Sequence, residues 1–391
     1  MDGSGEAVIV WQQSDGTRTN IWASRQAPGQ AWSAPELIET DDAGDARLAQ
    51  VATGEAGDAI AVWEQSDGMR TNIWANRHVP GQGWGLAQLL ETDDTAGASN
   101  PQVAMAVSGH AVAVWQQSDG TRTNIWASRH APGQGWSAPE LLETIDTGFA
   151  LNPQVAMAAS GDAIAVWEQA DVWPYDIWAA RYVPGQGWSP PQILDVSDAG
   201  DAHTPQVAMN DTGDALAVWQ QSDGTWSDVW ASRFSPGQGW GLAERIDGDA
   251  EADAQFSRVA MDASGQAIAV WEQFGATTSD VWSNRHVPGQ GWGMSQRIED
   301  DDTWDAVHPQ VAMDPSGRAV VVWAQADGAR DNIWATRFTP SQGWSAPELV
   351  EEDDTGTAMH PRIAMDDAGR AVAVWVLYDG VRGDIWANVL E

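Results

Sequence analysis

One spacing governs this chain. One series of tryptophans, each after a valine, stands at Trp11, Trp63, Trp115, Trp167, Trp219, Trp271, Trp323 and Trp375, and every interval is 52 residues. A second series lies eleven residues later, from Trp22 to Trp386, and a third of seven members runs from Trp32 to Trp344. The three series take 23 of the 26 tryptophans, and residues 11–38 match 115–142 at 25 of 28 positions. A period of this length, free of insertions, means one supersecondary unit stacked many times. The unit reads as four short strands. Pro309-Gln310-Val311-Ala312-Met313-Asp314 comes first, then Ala319-Val320-Val321-Val322-Trp323, Asn332-Ile333-Trp334-Ala335-Thr336-Arg337 and Trp344-Ser345-Ala346-Pro347-Glu348-Leu349-Val350. Each run is rich in β-branched or aromatic residues and bounded by Gly, Pro, Asn or Asp, which are strand and turn signals. No stretch holds a 3.6-residue periodicity long enough for a helix. The second strand is apolar on both faces, as in a sheet packed between two others. Four strands per unit of this length predict an all-β β-propeller of four-stranded antiparallel blades.

Charge and composition narrow the partners. There are 19 basic and 56 acidic side chains, a net charge of −37. Such a surface repels nucleic acid and anionic lipid, which call for clustered Lys and Arg. With no cysteine, disulfides, thiolate metal sites and cysteine nucleophiles are excluded. No apolar run reaches the length of a membrane span. The opening Met1-Asp2-Gly3-Ser4-Gly5 is not a signal peptide, although one could have been removed upstream.

The order Pro-Gln-Val-Ala-Met-Asp, Gly-x-Ala-x-Ala-Val-Trp, Ile-Trp-Ala-Ser-Arg, Gly-Trp-Ser-x-Pro-Glu-Leu resembles blades of the bacterial sialidase-like propeller superfamily. In that family an Asp-box in the turn between third and fourth strands ends Gly-x-x-Trp. Here Pro132-Gly133-Gln134-Gly135-Trp136-Ser137 stands at that place without the Asp, a degenerate form. The resemblance implies that Pro-Gln-Val-Ala is the innermost strand. Eight complete units would need 25 more residues than the chain has, and seven would leave 27 over. Eight blades are favoured, because seven would leave a Trp-bearing hairpin unpaired. Residues 1–391 then form a single propeller domain whose first blade lacks its inner strand and whose last lacks its outer one. Seven blades with a surplus hairpin is the alternative.

Near-identical repeats supply an internal reference: what recurs in every blade is scaffold. Arg25, Arg77, Arg129, Arg181, Arg233, Arg285 and Arg337 recur at one position and are expected to pair with neighbouring Asp or carbonyl groups. The resemblance implies, for a sialidase, three converging arginines, a Tyr paired with a carboxylate and an acid/base Asp. Of Tyr175, Tyr182 and Tyr378, Tyr182 follows the recurring Arg181, and no blade-specific arginine trio is evident. Acidic runs such as Glu39-Thr40-Asp41-Asp42, Glu91-Thr92-Asp93-Asp94, Glu299-Asp300-Asp301-Asp302 and Glu351-Glu352-Asp353-Asp354 read as a solvated rim. They match no twelve-residue calcium loop, and whether they take calcium stays open. The histidines are scattered, so no metal site and no cofactor are expected.

Departures from the repeat carry more. The loop after the second strand, Asp-Gly-Thr-Arg-Thr-Asn in its ground form, changes in three consecutive units to bring in Trp173 and Tyr175, then Trp226, then Phe274. In loops leading to inner strands Phe149 and Trp304 appear. Both loop classes leave a four-stranded blade at the same end, so these six aromatics are expected on one face. Exposed aromatic faces are characteristic of binding surfaces, and beside Asp, Asn and Arg they suit sugar rings, with peptides nearly as well served. The sequence reading is thus a non-catalytic, lectin-like protein, secreted or on a bacterial cell surface. Its partner is a glycan or an extracellular protein, without nucleic acid or membrane insertion, and it is a monomer or a swapped dimer. The alternatives are a divergent sialidase-like glycoside hydrolase or a protein-interaction scaffold.

Overall fold

A computed structural model describes all residues except 41–43, 93–95, 145–147, 171–173, 196–199, 249–251, 276, 302, 352–354 and 391. The protein is an all-β propeller of eight blades, numbered here in chain order, each a separate antiparallel sheet. Its one helical element among the described residues is a 3-10 turn, Glu55–Gly57, and no helix is long and apolar enough to cross a membrane. The chain divides into two compact units: residues 1–195 with 211–213, and residues 196–210 with 214–391. Blades 1–4 build the first and blades 5–8 the second.

Blade 3 shows the pattern. Its inner strand Ala98–Met105 pairs with Ala111–Ser118, which pairs with Thr123–Ala131. The outer strand comes in two pieces, Gly135–Trp136 and Glu140–Leu141, both paired with the third strand. Pro139, which has no N–H to give a ladder, lies between the pieces, and the Ser137 hydroxyl accepts the Arg129 N–H there at 3.1 Å. The first piece needs a glycine. In blades 2–7 that glycine has φ of 80–87°, from Gly83 to Gly343, a region other L-residues rarely enter. Blade 1 has Ala31 instead, and its sheet contains only the second piece, Glu36–Leu37. Among the described residues the sheets of blades 1 and 8 each hold three strands: Ala7–Ser14, Thr19–Gln26 and Glu36–Leu37 in blade 1, and Thr357–Met365, Ala371–Tyr378 and Gly383–Leu390 in blade 8.

The core lies between blades. In the second strand Ala-Ile-Ala-Val-Trp, alternate residues face opposite neighbours. Ile60 and Val62 of blade 2 pack against Ala111, Ala113 and Trp115 of blade 3, so a bulky face meets a small one with an indole at its edge. Trp63, Trp115, Trp167, Trp219, Trp271 and Trp323 are fully buried. From Trp11 to Trp323 each indole N–H donates to the Gln two residues on, at 2.9–3.1 Å. In blade 8 Leu377 takes that place, and the Trp375 Nε1 has no acceptor.

The recurring arginines are scaffold, as the repeat implied. Arg25, Arg77, Arg181 and Arg233 bridge to Glu6, Asp58, Asp162 and Asp214, while Arg129 and Arg337 reach Glu140 and Glu348. Arg285 bonds to Gln266. The acidic runs differ from a solvated rim at their first residue. Glu39, Glu91, Glu143, Asp195, Asp247, Glu299 and Glu351 are buried. Glu91, Glu143 and Asp195 accept the N–H of Ile73, Ile125 and Ile177, where the outer strand no longer offers a ladder. Burial raises the carboxyls of Asp195 and Asp247 to about 7. Asp41, Asp42, Asp93, Asp94, Asp302, Glu352, Asp353 and Asp354 lie outside the described residues.

Candidate functional site

Every inner strand carries a bulge at one register position. There the residue is left-handed: Leu48, Asn100, Asn152, Thr204, Phe256, His308 and His360, with φ of 51–57°. None is glycine, and a proline follows five of them, a neighbour that itself restricts the preceding residue. Such backbone costs about 1–3 kcal/mol and persists only where surroundings over-determine it. Here the second strand of the preceding blade supplies an anchor. Gln12, Gln116 and Glu272 accept the N–H of Leu48, Asn152 and His308 at 3.0, 3.0 and 2.6 Å. The bulge turns successive side chains toward each other. The Asn100 amide donates to Asn152 at 3.4 Å, and the rings of Phe256, His308 and His360 follow at centroid distances of 6.5 and 5.6 Å.

In the second unit this row is ionisable. Two residues after the left-handed position, four of the five blades 2–5 and 7 keep the ground-form Pro-Gln, and all five keep the Gln, while blades 6 and 8 carry Arg258 and Arg362. Each guanidinium donates to its own neighbour's carbonyl, Ser257 at 2.9 Å and Pro361 at 3.0 Å. No ion pair holds either among the described residues. Burial lowers Arg258 to about 10, with the charge of Arg362 adding to it and Glu272 opposing it. Arg362 is also lowered by desolvation, although the residue stays solvent-exposed. Burial raises the Glu272 carboxyl to about 7, against the pull of the His308 N–H and Arg258. His308 is lowered by burial and by the charges of His360, Arg362 and Arg258. A near-neutral carboxyl, a neutral imidazole and two unpaired guanidinia thus meet along one wall. Groups perturbed in this way cluster at functional sites.

The six aromatics expected from the sequence stand as follows. Phe149 opens the inner strand Phe149–Met157, pairs with Ala170 and is half-exposed; Tyr175 precedes the third strand of the same blade. Trp226 lies in a loop where its N–H bonds Asp223 Oδ1 at 2.8 Å. Phe274 ends Ala267–Phe274 and is exposed. Trp304 lies over Gly328 of its own blade, where a Cβ would come within 2.5 Å of the indole. Trp173 is outside the described residues. Each described one sits at the end of its blade where the inner strand starts and the second strand stops, which is also the end nearer the bulge. Phe149 and Tyr175 belong to the first unit, and Trp226, Phe274 and Trp304 to the second. Arg258, Arg362, Glu272, Phe256 and the His308–His360 pair were not singled out by the sequence. Their signal was present as blade-specific substitutions inside an otherwise repeated inner strand.

No protein-family model and no curated protein matches this sequence. Solved structures do, at the level of fold. A polysaccharide lyase of family PL25, an ulvan lyase, superposes with a TM-score of 0.56 at 11% identity, covering 86% of this chain and 90% of that one. A protein of unknown function from Dyadobacter fermentans gives 0.50 at 13% identity, over 90% and 96%. The intramolecular trans-sialidase of Ruminococcus gnavus gives 0.45 at 9% identity, over 89% and 95%. The chain therefore shares a β-propeller fold with the ulvan lyase and the Dyadobacter protein. One expectation is corrected by these neighbours: a protein without catalysis was read from the lack of an arginine trio, yet enzymes, the ulvan lyase among them, carry this fold. The physical reason is that Arg258 and Arg362 occupy positions of two inner strands where the other blades carry a repeated Gln.

Proposed function

We propose that the inner-strand wall of the second unit is the active site of an enzyme acting on an acidic polysaccharide by elimination. One observation carries the reading. In a chain of net charge −37, Arg258 lies close enough to Arg362 to be lowered by its charge as well as by burial, and each guanidinium bonds a backbone carbonyl with no ion-pair partner among the described residues. Like charges are held together at a cost that an anionic ligand would offset. A uronate carboxylate between the guanidinia would be neutralised by charge-assisted hydrogen bonds, which makes the adjacent C–H more acidic. His308, held neutral, takes that proton. Its electron pair becomes a C=C bond, the glycosidic C–O bond breaks, and protonated Glu272 gives its proton to the leaving oxygen. Trp226, Phe274 and Trp304, at the same end of their blades, would stack against further sugar rings. The polysaccharide lyase among the structural neighbours supports this choice of chemistry, and an extracellular setting goes with it.

The test is polygalacturonate, read by ultraviolet absorbance of the C=C bond conjugated to the carboxylate, with neutral cellulose oligomers as control. Arg258→Gln/Arg362→Gln restores the residue that other blades carry, so the fold is expected to persist. Turnover that this variant loses supports the reading. Turnover that survives it, or no turnover of any uronate polymer, overturns it.

A further inference from the structure

A second site lies in the first unit, at the opposite ends of blades 3 and 4. A cleft of about 630 Å³ is lined there by Ser108, His110, Arg129, Trp136, Ser160 and Tyr182, among others. It exists because one residue departs from the repeat. Asp58, Asp162 and Asp214 each hold the recurring arginine of their own blade, and blade 3 has His110 at that position. Arg129, without its Asp, turns to Glu140 and to the Tyr182 hydroxyl at 2.7 Å, with its guanidinium 4.8 Å over the Tyr182 ring. His110 bonds Ser108 Oγ at 3.0 Å instead. The vacated space can be measured from the glycine turns. A Cβ on Gly109 would meet the Asp58 carboxylate at 3.2 Å and Arg77 at 3.6 Å, whereas one on Gly161 would meet only Pro184, at 3.3 Å. The bridge that fills the gap beside blade 3 is missing beside blade 4.

The chemistry of the lining is unlike the rest of the molecule. The chain has 56 acidic residues, yet the cleft wall holds no Asp or Glu, while it holds Arg129, His110 and His130. The carboxylates behind the wall are already engaged: Glu140 is bound by Arg129, Asp162 by Arg181, and Asp211 accepts the Ala159 N–H at 3.1 Å. Trp136 and Tyr182 add flat apolar walls, and Ser108, Ser160 and Ser137 add hydroxyls. A concave volume of this size, with aromatic walls and few convergent polar groups, suits a small molecule. We propose that this cleft binds a monosaccharide-sized sugar acid, its carboxylate on Arg129 and His110 and its ring against Trp136 and Tyr182. The site is separate from the inner-strand wall and does not depend on the chemistry assigned there.

Glucuronate, glucose and inorganic phosphate are the probes, titrated against the full chain by calorimetry. His110→Asp restores the repeat's own residue and closes the cleft, and Arg258→Gln/Arg362→Gln disables only the other site. Expected is glucuronate binding that H110D weakens at least tenfold and the double Arg variant leaves unchanged, with glucose unbound. The proposal is overturned if glucuronate does not bind, if H110D binds it unchanged, if the Arg variant removes it, or if phosphate binds as tightly.

Discussion

The row of left-handed residues is built on the same backbone in both units and given different chemistry. In the first unit Leu48, Asn100 and Asn152 occupy it, and amides saturate one another. Asn100 donates to Gln116 and Asn152, Asn152 donates to Glu168, and Gln116 accepts the Asn152 N–H. In the second unit Phe256, His308 and His360 occupy the same places beside Arg258, Arg362 and Glu272. The φ values stay within 51–57° throughout. Strain and anchoring belong to the scaffold, and the side chains displayed by them are free to differ. A position that must be conformationally unusual but need not be any one residue type is where a repeat can acquire chemistry without losing its fold.

The comparison assumes equivalent scaffolds, and the largest effect tests that. Trp115→Ala in the first unit and Trp271→Ala in the second each empty a fully buried site and should each cost about 3–5 kcal/mol. Denaturant titration would show it, and clearly unequal losses would end the claim that the two units are built on equivalent scaffolds. Next comes the difference in chemistry. Charged hydrogen bonds contribute about 1.5–3 kcal/mol each, so Arg258→Gln or Arg362→Gln should lower kcat/KM on a uronate polymer by roughly 10–100-fold. Asn100→Asp in the first unit's row should leave it unchanged; a loss there would place the chemistry in both rows.

Acid gives a third contrast, first in activity. His308 is active as a base when neutral and is held below the ordinary imidazole range; Glu272 is active as an acid when protonated, with its pKa raised to about 7. Rate should fall on the acid side as His308 gains a proton and on the alkaline side above about 7 as Glu272 loses one. Glu272→Gln should abolish the alkaline limb while lowering the rate. Stability responds differently, and alike in both units. Asp195 and Asp247 have folded pKa values raised to about 7 from 3.8, so the folded state holds more protons between those limits. Stability is full below the unfolded value and lost as pH rises through about 7. Melting temperature should therefore rise from pH 8 to pH 5, and Asp195→Asn/Asp247→Asn should flatten that rise. The smallest effect concerns strain itself. Thr204 is β-branched at φ 51°, and Thr204→Gly should stabilise by about 0.5–1 kcal/mol, whereas Asn100→Gly should change little, because Asn tolerates that region.

The period made the architecture legible: strand order and blade number follow from intervals of 52 residues. The bulge was not legible, because Leu, Asn, Thr, Phe and His share no property that marks a left-handed position. Arg258 and Arg362 were hidden by their surroundings, since a strand that repeats almost unchanged is read as packing. Glu91 and Glu143 were misread for a related reason. They stand in acidic runs that look solvated, and only the interrupted outer strand reveals that their carboxylates replace a missing ladder partner. Phe274 and Trp304 were placed at the expected end of their blades, but the fold of Trp304 onto Gly328 depends on a loop conformation that spacing does not encode.

The indole of Trp375, which alone in its series lacks the glutamine acceptor, makes the last blade optically distinct. Seven sister indoles sit beside an amide oxygen, whose dipole tunes their excited states alike, while Trp375 meets Leu377 instead. Its emission should be blue-shifted from theirs, and Leu377→Gln should merge it with the rest. The protein therefore carries an intrinsic dye on its last blade, whose blue-edge emission would shift to the red when that blade frays, apart from the signal of the other indoles.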